Sequence, residues 1–76
     1  MTPMDIAQHT ASELARQHTE QYTGKSADCV STDIASKIGS ALFEAGYNSD
    51  DIRFADREFF ALDALQDAGY PNILNS

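Results

Sequence analysis

The sequence predicts an all-α fold, a small antiparallel three-helix bundle. Three observations carry the prediction. Apolar residues recur at spacings of three and four in three separate stretches. Each stretch follows a residue that starts helices (Thr2, Ser26, Ser49), and each is closed by a glycine (Gly24, Gly46, Gly69). At 76 residues the chain reads as one domain, residues 1–70, with a short tail over residues 71–76. A core of this size rarely supplies more than ~3–5 kcal/mol and leaves no room for a large internal cofactor.

The first helix is expected over residues 3–22. Thr2 is a capping residue, and Pro3 suits the first helical position because the N–H it lacks would have no partner there. Asp5 sets a carboxylate at the positive end of the helix dipole. Met4, Ala7, Ala11, Leu14, Ala15, His18 and Tyr22 share one face, the face to be buried. Gly24 then stops the helix, because glycine takes the left-handed conformation without steric cost.

The second helix is expected over residues 27–45. Ser26 caps it if it begins there; Ser31 or Thr32 would cap a shorter helix beginning at Asp33. The stripe Val30, Ile34, Ile38, Ala41, Leu42 and Ala45 favours at least one turn before residue 31. The third helix is expected over residues 50–68, with Ser49 as cap and Asp50 and Asp51 at the dipole's positive end. Its buried stripe reads as Phe54, Ala55, Phe59, Leu62 and Leu65, with a break near residues 55–56 left open. Residues 41–47 and 64–70 agree at five of seven positions, each ending Ala-Gly-Tyr. Both read as Schellman endings in which tyrosine folds back on a leucine, Tyr47 on Leu42 and Tyr70 on Leu65. Pro71 forbids continuation, and Ile73 and Leu74 are the tail's means of packing back on the bundle.

Composition excludes several chemistries. A single cysteine, Cys29, forms no internal disulfide, and no Cys/His cluster offers a metal site. His9 and His18 fall on nearly opposite sides of one helix, so they neither act together nor chelate a metal. Cys29 reads as a small buried hydrophobe with no second catalytic group near it in sequence. The glycines are isolated and form no phosphate-cradling motif; Gly39, beside Ser36 and Ser40, reads as a place where helices cross closely. Length and acidity resemble acyl carrier proteins. That family carries its cofactor on the serine of an Asp-Ser-Leu motif, and here Lys25-Ser26-Ala27-Asp28 stands instead. Neither an enzyme nor a cofactor is expected. The longest compact apolar run, residues 59–62, is far short of the ~18 a membrane span needs, and residues 1–10 have no signal-peptide pattern. A cytoplasmic protein is the expectation.

Charge is the unusual feature. Twelve acidic residues against five basic ones give a net charge of −7, which argues against direct nucleic-acid binding. Glu13, Arg16 and Glu20 form a solvated ladder, Asp33 precedes Lys37 by four, and Asp50 and Asp56 flank Arg53. Asp56, Phe60, Asp63 and Asp67 instead share one face of the third helix, where like charges repel. Asp67 and Glu44 also sit in final turns, where the dipole disfavours an anion. Phe60 and Phe43 are left over by the apolar stripes; each either reaches a neighbouring helix or covers an edge of the core, or else is an aromatic anchor beside those acids.

In size, charge and absence of catalytic apparatus, the chain resembles in type the small acidic proteins encoded by phages and mobile elements, anti-CRISPR proteins among them. The resemblance implies a non-catalytic inhibitor whose carboxylates occupy a basic nucleic-acid-binding surface of a partner protein. The partner-binding residues would be Asp56, Phe60, Asp63, Asp67, Glu44 and Phe43. The alternative is an adaptor or regulatory subunit docking through Ile6 and Phe43, its charge serving solubility. A monomer is expected because so high a charge on so small a body repels its copy; a homodimer seam through Gly39, Ser40 and Phe43 is the competing arrangement.

Overall fold

Ser26 and Thr2 each begin a helix in the manner their side chains allow. The computed structural model describes residues 2–17 and 25–69, and within them the chain forms α1 (Pro3–Arg16), α2 (Ala27–Glu44) and α3 (Phe54–Asp67). A 3-10 turn, Ser49–Asp51, joins the last two. The expected all-α three-helix bundle is the observed fold. Met4, Gln8 and Ser12 of α1 meet successive positions of α3, so these two helices run side by side in one direction, and α2 runs back against both of them.

At the start of α1 a reciprocal box closes. The Asp5 N–H donates to Thr2 Oγ1 at 3.2 Å, and the Thr2 N–H donates to Asp5 Oδ2 at 3.2 Å. Thr2, through its backbone N–H first and its side chain second, holds the Asp5 carboxyl below its ordinary value. Ala7, Ala11 and Ala15 are fully buried, while Met4 at the end of the expected stripe is exposed. The helix ends at Arg16 rather than at residue 22, where Gln17 N–H turns to the Leu14 carbonyl at 3.1 Å. His18, Tyr22 and the Gly24 stop lie outside the described residues.

α2 settles its two possible starts in favour of Ser26, whose Oγ accepts from Cys29 N–H at 3.3 Å. Ser31 is buried and its hydroxyl donates to Asp28 O at 3.0 Å, so it belongs to the helix interior. Val30, Ile34, Ile38 and Leu42 make the fully buried ridge of the core, whereas Ala45 is exposed. The ending is the Schellman motif: Tyr47 N–H reaches Leu42 O at 2.9 Å, Gly46 N–H reaches Phe43 O at 3.1 Å, and Gly46 has φ +94°. Tyr47 packs against the core beside that turn. Gly69 closes α3 with φ +80° and an N–H to Gln66 O at 3.1 Å. Its partner Tyr70 and the tail, residues 71–76, lie outside the described residues.

The third expected helix is two pieces, and the break falls at residues 52–53. Ile52 and Arg53 are both extended, with ψ of 122° and 152°, while residues 55–56 are helical. Ser49 is no cap. Its hydroxyl donates to Gly39 O at 2.9 Å and ties the 3-10 turn to α2, while Asn48 and Asp51 form the capping box. Ile52, held in this way, points into the core.

α3 is rotated by about one residue, or ~100°, from the expected orientation. Its core face is Arg57, Ala61 and Leu65, with Phe60, Ala64 and Ala68 packed alongside. Phe54, Ala55 and Phe59, expected inside, are exposed, and Leu62 is half-buried. The cause is Arg57, which is 7% exposed. Its Nε donates to Ile52 O at 3.1 Å and its Nη1 to Ala35 O at 3.0 Å, and its Cζ stands 5.1 Å from the Phe54 ring centroid. The guanidinium lies over Gly39, where a Cβ would collide with Nη1. The gap left by Gly39 is therefore filled by an arginine side chain, not by a helix backbone.

Candidate functional site

Between α1 and α3 runs an open groove whose two walls differ in chemistry. α1 contributes Met4, Gln8 and Ser12, none of them charged, whereas α3 contributes aromatic rings and carboxylates. Phe59 and Phe60 meet edge to face, with centroids 6.5 Å apart and planes at 72°. Phe60 is half-buried and packs against the core, so it forms the floor; Phe59 is 67% exposed and stands as a ridge. Phe59, expected in the buried stripe, is thus exposed, and of the two readings open for Phe60 the structure takes the one in which the ring reaches the core. Consecutive residues on a helix point ~100° apart, so both cannot enter the core, and burial of Arg57 and Ala61 selects Phe60.

The ridge divides the groove into two hollows. One, of about 380 Å³, is lined by Met4, Ile52 and the two phenylalanines, with Asp51 and Asp56 at its rim. The other, of about 270 Å³, is lined by the same rings, Ala64, Gln8 and Ser12, with Asp63 and Asp67 at its rim. Sites for small organic ligands span ~300–1,000 Å³ and enclose their ligand. Open hollows just above and just below the bottom of that range suit single side chains of a larger partner.

Electrostatics distinguishes the rims. Asp56 Oδ2 lies 3.5 Å from Arg53 Nε, a solvated pair. Asp63 and Asp67 have no ion pair among the described residues, and the last turn of α3 has no basic residue. Arg16 lines a neighbouring hollow with Asp67, but its Nη2 is engaged by Glu13 at 2.7 Å. Arg57 is buried on carbonyls, and Lys37 pairs with Asp33 at 3.2 Å.

The residues singled out in the sequence divide accordingly. Asp56, Phe60, Asp63 and Asp67 are brought to one groove. Phe43, 71% exposed, and Glu44 lie at the end of α2 and line neither hollow. Ile6 is half-buried and packs against the core. Cys29, read as a small buried hydrophobe, is exposed at the start of α2. His9 faces solvent with Nε2 3.9 Å from Glu13 Oε1. Among the described residues no group of three or more His, Cys, Asp or Glu side chains is placed to hold a metal, and no helix is long and apolar enough to cross a membrane. Phe59 and the α1 wall were missed by sequence reasoning. The adjacent pair Phe59-Phe60 was the available signal for the first; no single-helix pattern reveals the second.

No protein-family model matches the chain, and no curated protein or solved structure matches it either. The surface alone is the ground for a functional reading.

Proposed function

We propose that this protein is a non-catalytic inhibitor that docks the α1–α3 groove against a basic, nucleic-acid-binding surface of a partner protein and competes with its nucleic acid. The observation that supports this most is the pair Asp63 and Asp67, one turn apart on the rim of an aromatic groove and without an ion pair among the described residues. Their mutual repulsion opposes both charges and the helix dipole opposes Asp67 in the last turn, each by a few tenths to ~1 kcal/mol, so the fold itself gains nothing from them. A positive surface recovers that cost and is attracted over a Debye length of ~8 Å at physiological salt. Acidic inhibitors of phages and mobile elements are the type this reading describes, acting as monomers in the cytoplasm.

The test uses immobilised protein and cell lysate washed at low and high salt. Captured proteins are identified by mass spectrometry and then titrated, each loaded with a labelled oligonucleotide. The expected partner is a nucleic-acid-binding protein that is lost at high salt, releases its oligonucleotide, and is not captured by Asp63→Lys/Asp67→Lys. Capture by that double variant equal to wild type overturns the proposal. A second reading rests on Phe43, an aromatic exposed on the far end of α2. An adaptor docking there would bind with little salt dependence and be lost in Phe43→Ala.

A further inference from the structure

The two hollows differ in chemistry, and the difference specifies what a docking segment must present. We infer that the groove seats an arginine of the partner between Phe59, Asp63 and Asp67, and an apolar side chain of the same segment against Met4, Ile52 and Phe60. The inference rests on the partner reading above and narrows it to a defined pair of side chains.

Charge complementarity selects the occupant of the second hollow. Asp63 and Asp67 are four residues apart on one helix, which sets their Cβ atoms ~5–6 Å apart, a span that the planar fork of a guanidinium meets with donors fixed toward both carboxylates while its face stays free to stack, as an ammonium's does not. The exposed Phe59 ring borders the same hollow and offers a face for stacking. This protein already uses that contact internally, with Arg57 Cζ 5.1 Å from the Phe54 centroid. The opposing wall, Gln8 and Ser12, supplies hydrogen-bonding groups and no competing cation. Arg16, which lines the neighbouring hollow with Asp67, is held by Glu13.

The first hollow selects differently. Met4 and Ile52 join the two rings there, and its carboxylates Asp51 and Asp56 stand beside apolar surface, with Asp56 already facing Arg53. An aliphatic side chain fills it. The separation follows from helix geometry. Asp56 and Asp63 mark corresponding rim positions seven residues apart, which is ~10 Å along α3. In a segment of polyproline II conformation, with three residues per turn and a rise of ~3.1 Å per residue, side chains three residues apart share one face at ~9 Å, so the two side chains belong to residues three apart.

The probe is a set of acetylated, amidated tetrapeptides titrated into the isotope-labelled protein and followed by amide chemical shifts. Leu-Ala-Ala-Arg is expected to shift Met4, Phe59, Asp63 and Asp67 and to bind at least several-fold more tightly than Leu-Ala-Ala-Lys, Leu-Ala-Ala-Gln or the wrongly spaced Leu-Arg-Ala-Ala. In Asp63→Asn/Asp67→Asn, whose spectrum reports whether the bundle is intact, the preference for arginine is expected to vanish while the leucine-dependent shifts at Met4 remain. Equal binding of the arginine and glutamine peptides, or shifts centred on Phe43, overturns the inference. Peptides without arginine preference, combined with loss of lysate partners on charge reversal, would remove the two-subsite inference and leave the competitor reading standing. Arginine preference combined with partners indifferent to Asp63 and Asp67 would remove the competitor reading alone.

Discussion

The guanidinium of Arg57 occupies the space that a side chain at residue 39 would need. An arginine on α3 and a missing side chain on α2 are thus one structural unit, completed by the carbonyls of Ala35 and Ile52. Gly39→Ala is expected to destabilise by about 1 kcal/mol, because the overpacking cost of ~1–3 kcal/mol exceeds the ~1 kcal/mol that alanine gains over glycine within a helix. In an Arg57→Ala background the sign should reverse, with the same change stabilising by up to ~1 kcal/mol. A double-mutant cycle by urea denaturation measures this; additive effects would show that the two positions do not share the space.

Phe59 and Phe60 should separate cleanly in stability. Phe60→Ala removes a ring packed on the core and is expected to cost about 2 kcal/mol, whereas Phe59→Ala removes an exposed ring and should cost under ~1 kcal/mol. Thermal denaturation of the two variants decides between this arrangement and the reverse one.

Helix endings give a third expectation. Gly46 and Gly69 have positive φ and no atom within 4 Å of a built Cβ, so any cost of substitution arises from the backbone alone. Valine at either position should destabilise by about 1 kcal/mol or more, and asparagine, which tolerates the left-handed region, by less. Equal losses for the two residue types, measured by denaturant titration, would point to a different cause.

The fourth concerns acid. Since the folded-state value of Asp5 lies below its ordinary 3.8, the cap contributes in full at pH values above the ordinary carboxylate range. The contribution is lost as pH falls through the lowered folded value. Wild type should therefore exceed Asp5→Asn in stability at neutral pH, and the gap should close on acidification. Unfolding curves of both proteins at a series of pH values test the sign, the remaining carboxylates being common to both.

Much of this architecture was legible because local chemistry decided it. Thr2-Pro3-Met4-Asp5 announced its capping box, and the Ala-Gly-Tyr ending of α2 announced its Schellman turn, since both depend on a few consecutive residues. The face of α3 was not legible, because hydrophobicity assigns arginine outward. Arg57 goes inward only because α2 offers a bare glycine and a carbonyl beside it, a fact of tertiary packing. The rotation that followed exchanged Phe59 for Phe60. The acids of the groove were nevertheless identified, since Asp56, Asp63 and Asp67 share a face whichever way the helix turns. Their neutral counterparts on α1 became visible only when two helices stood side by side.

The side chains that α1 buries completely are alanines alone. Each methyl removed from water is worth ~0.8 kcal/mol, against ~1.5–3 kcal/mol for each of the isoleucines and leucines that join α2 to α3. α1 is thus the most weakly fastened of the three, with only the partial cover of Ile6 and Leu14 to add. Amide hydrogen exchange should follow that hierarchy, with α1 exchanging through a sub-global opening at lower free energy than the amides around Ile34, Ile38 and Leu65. Since α1 is also the uncharged wall of the groove, a ligand spanning both walls would slow α1 exchange most, making protection of its amides a direct readout of occupancy.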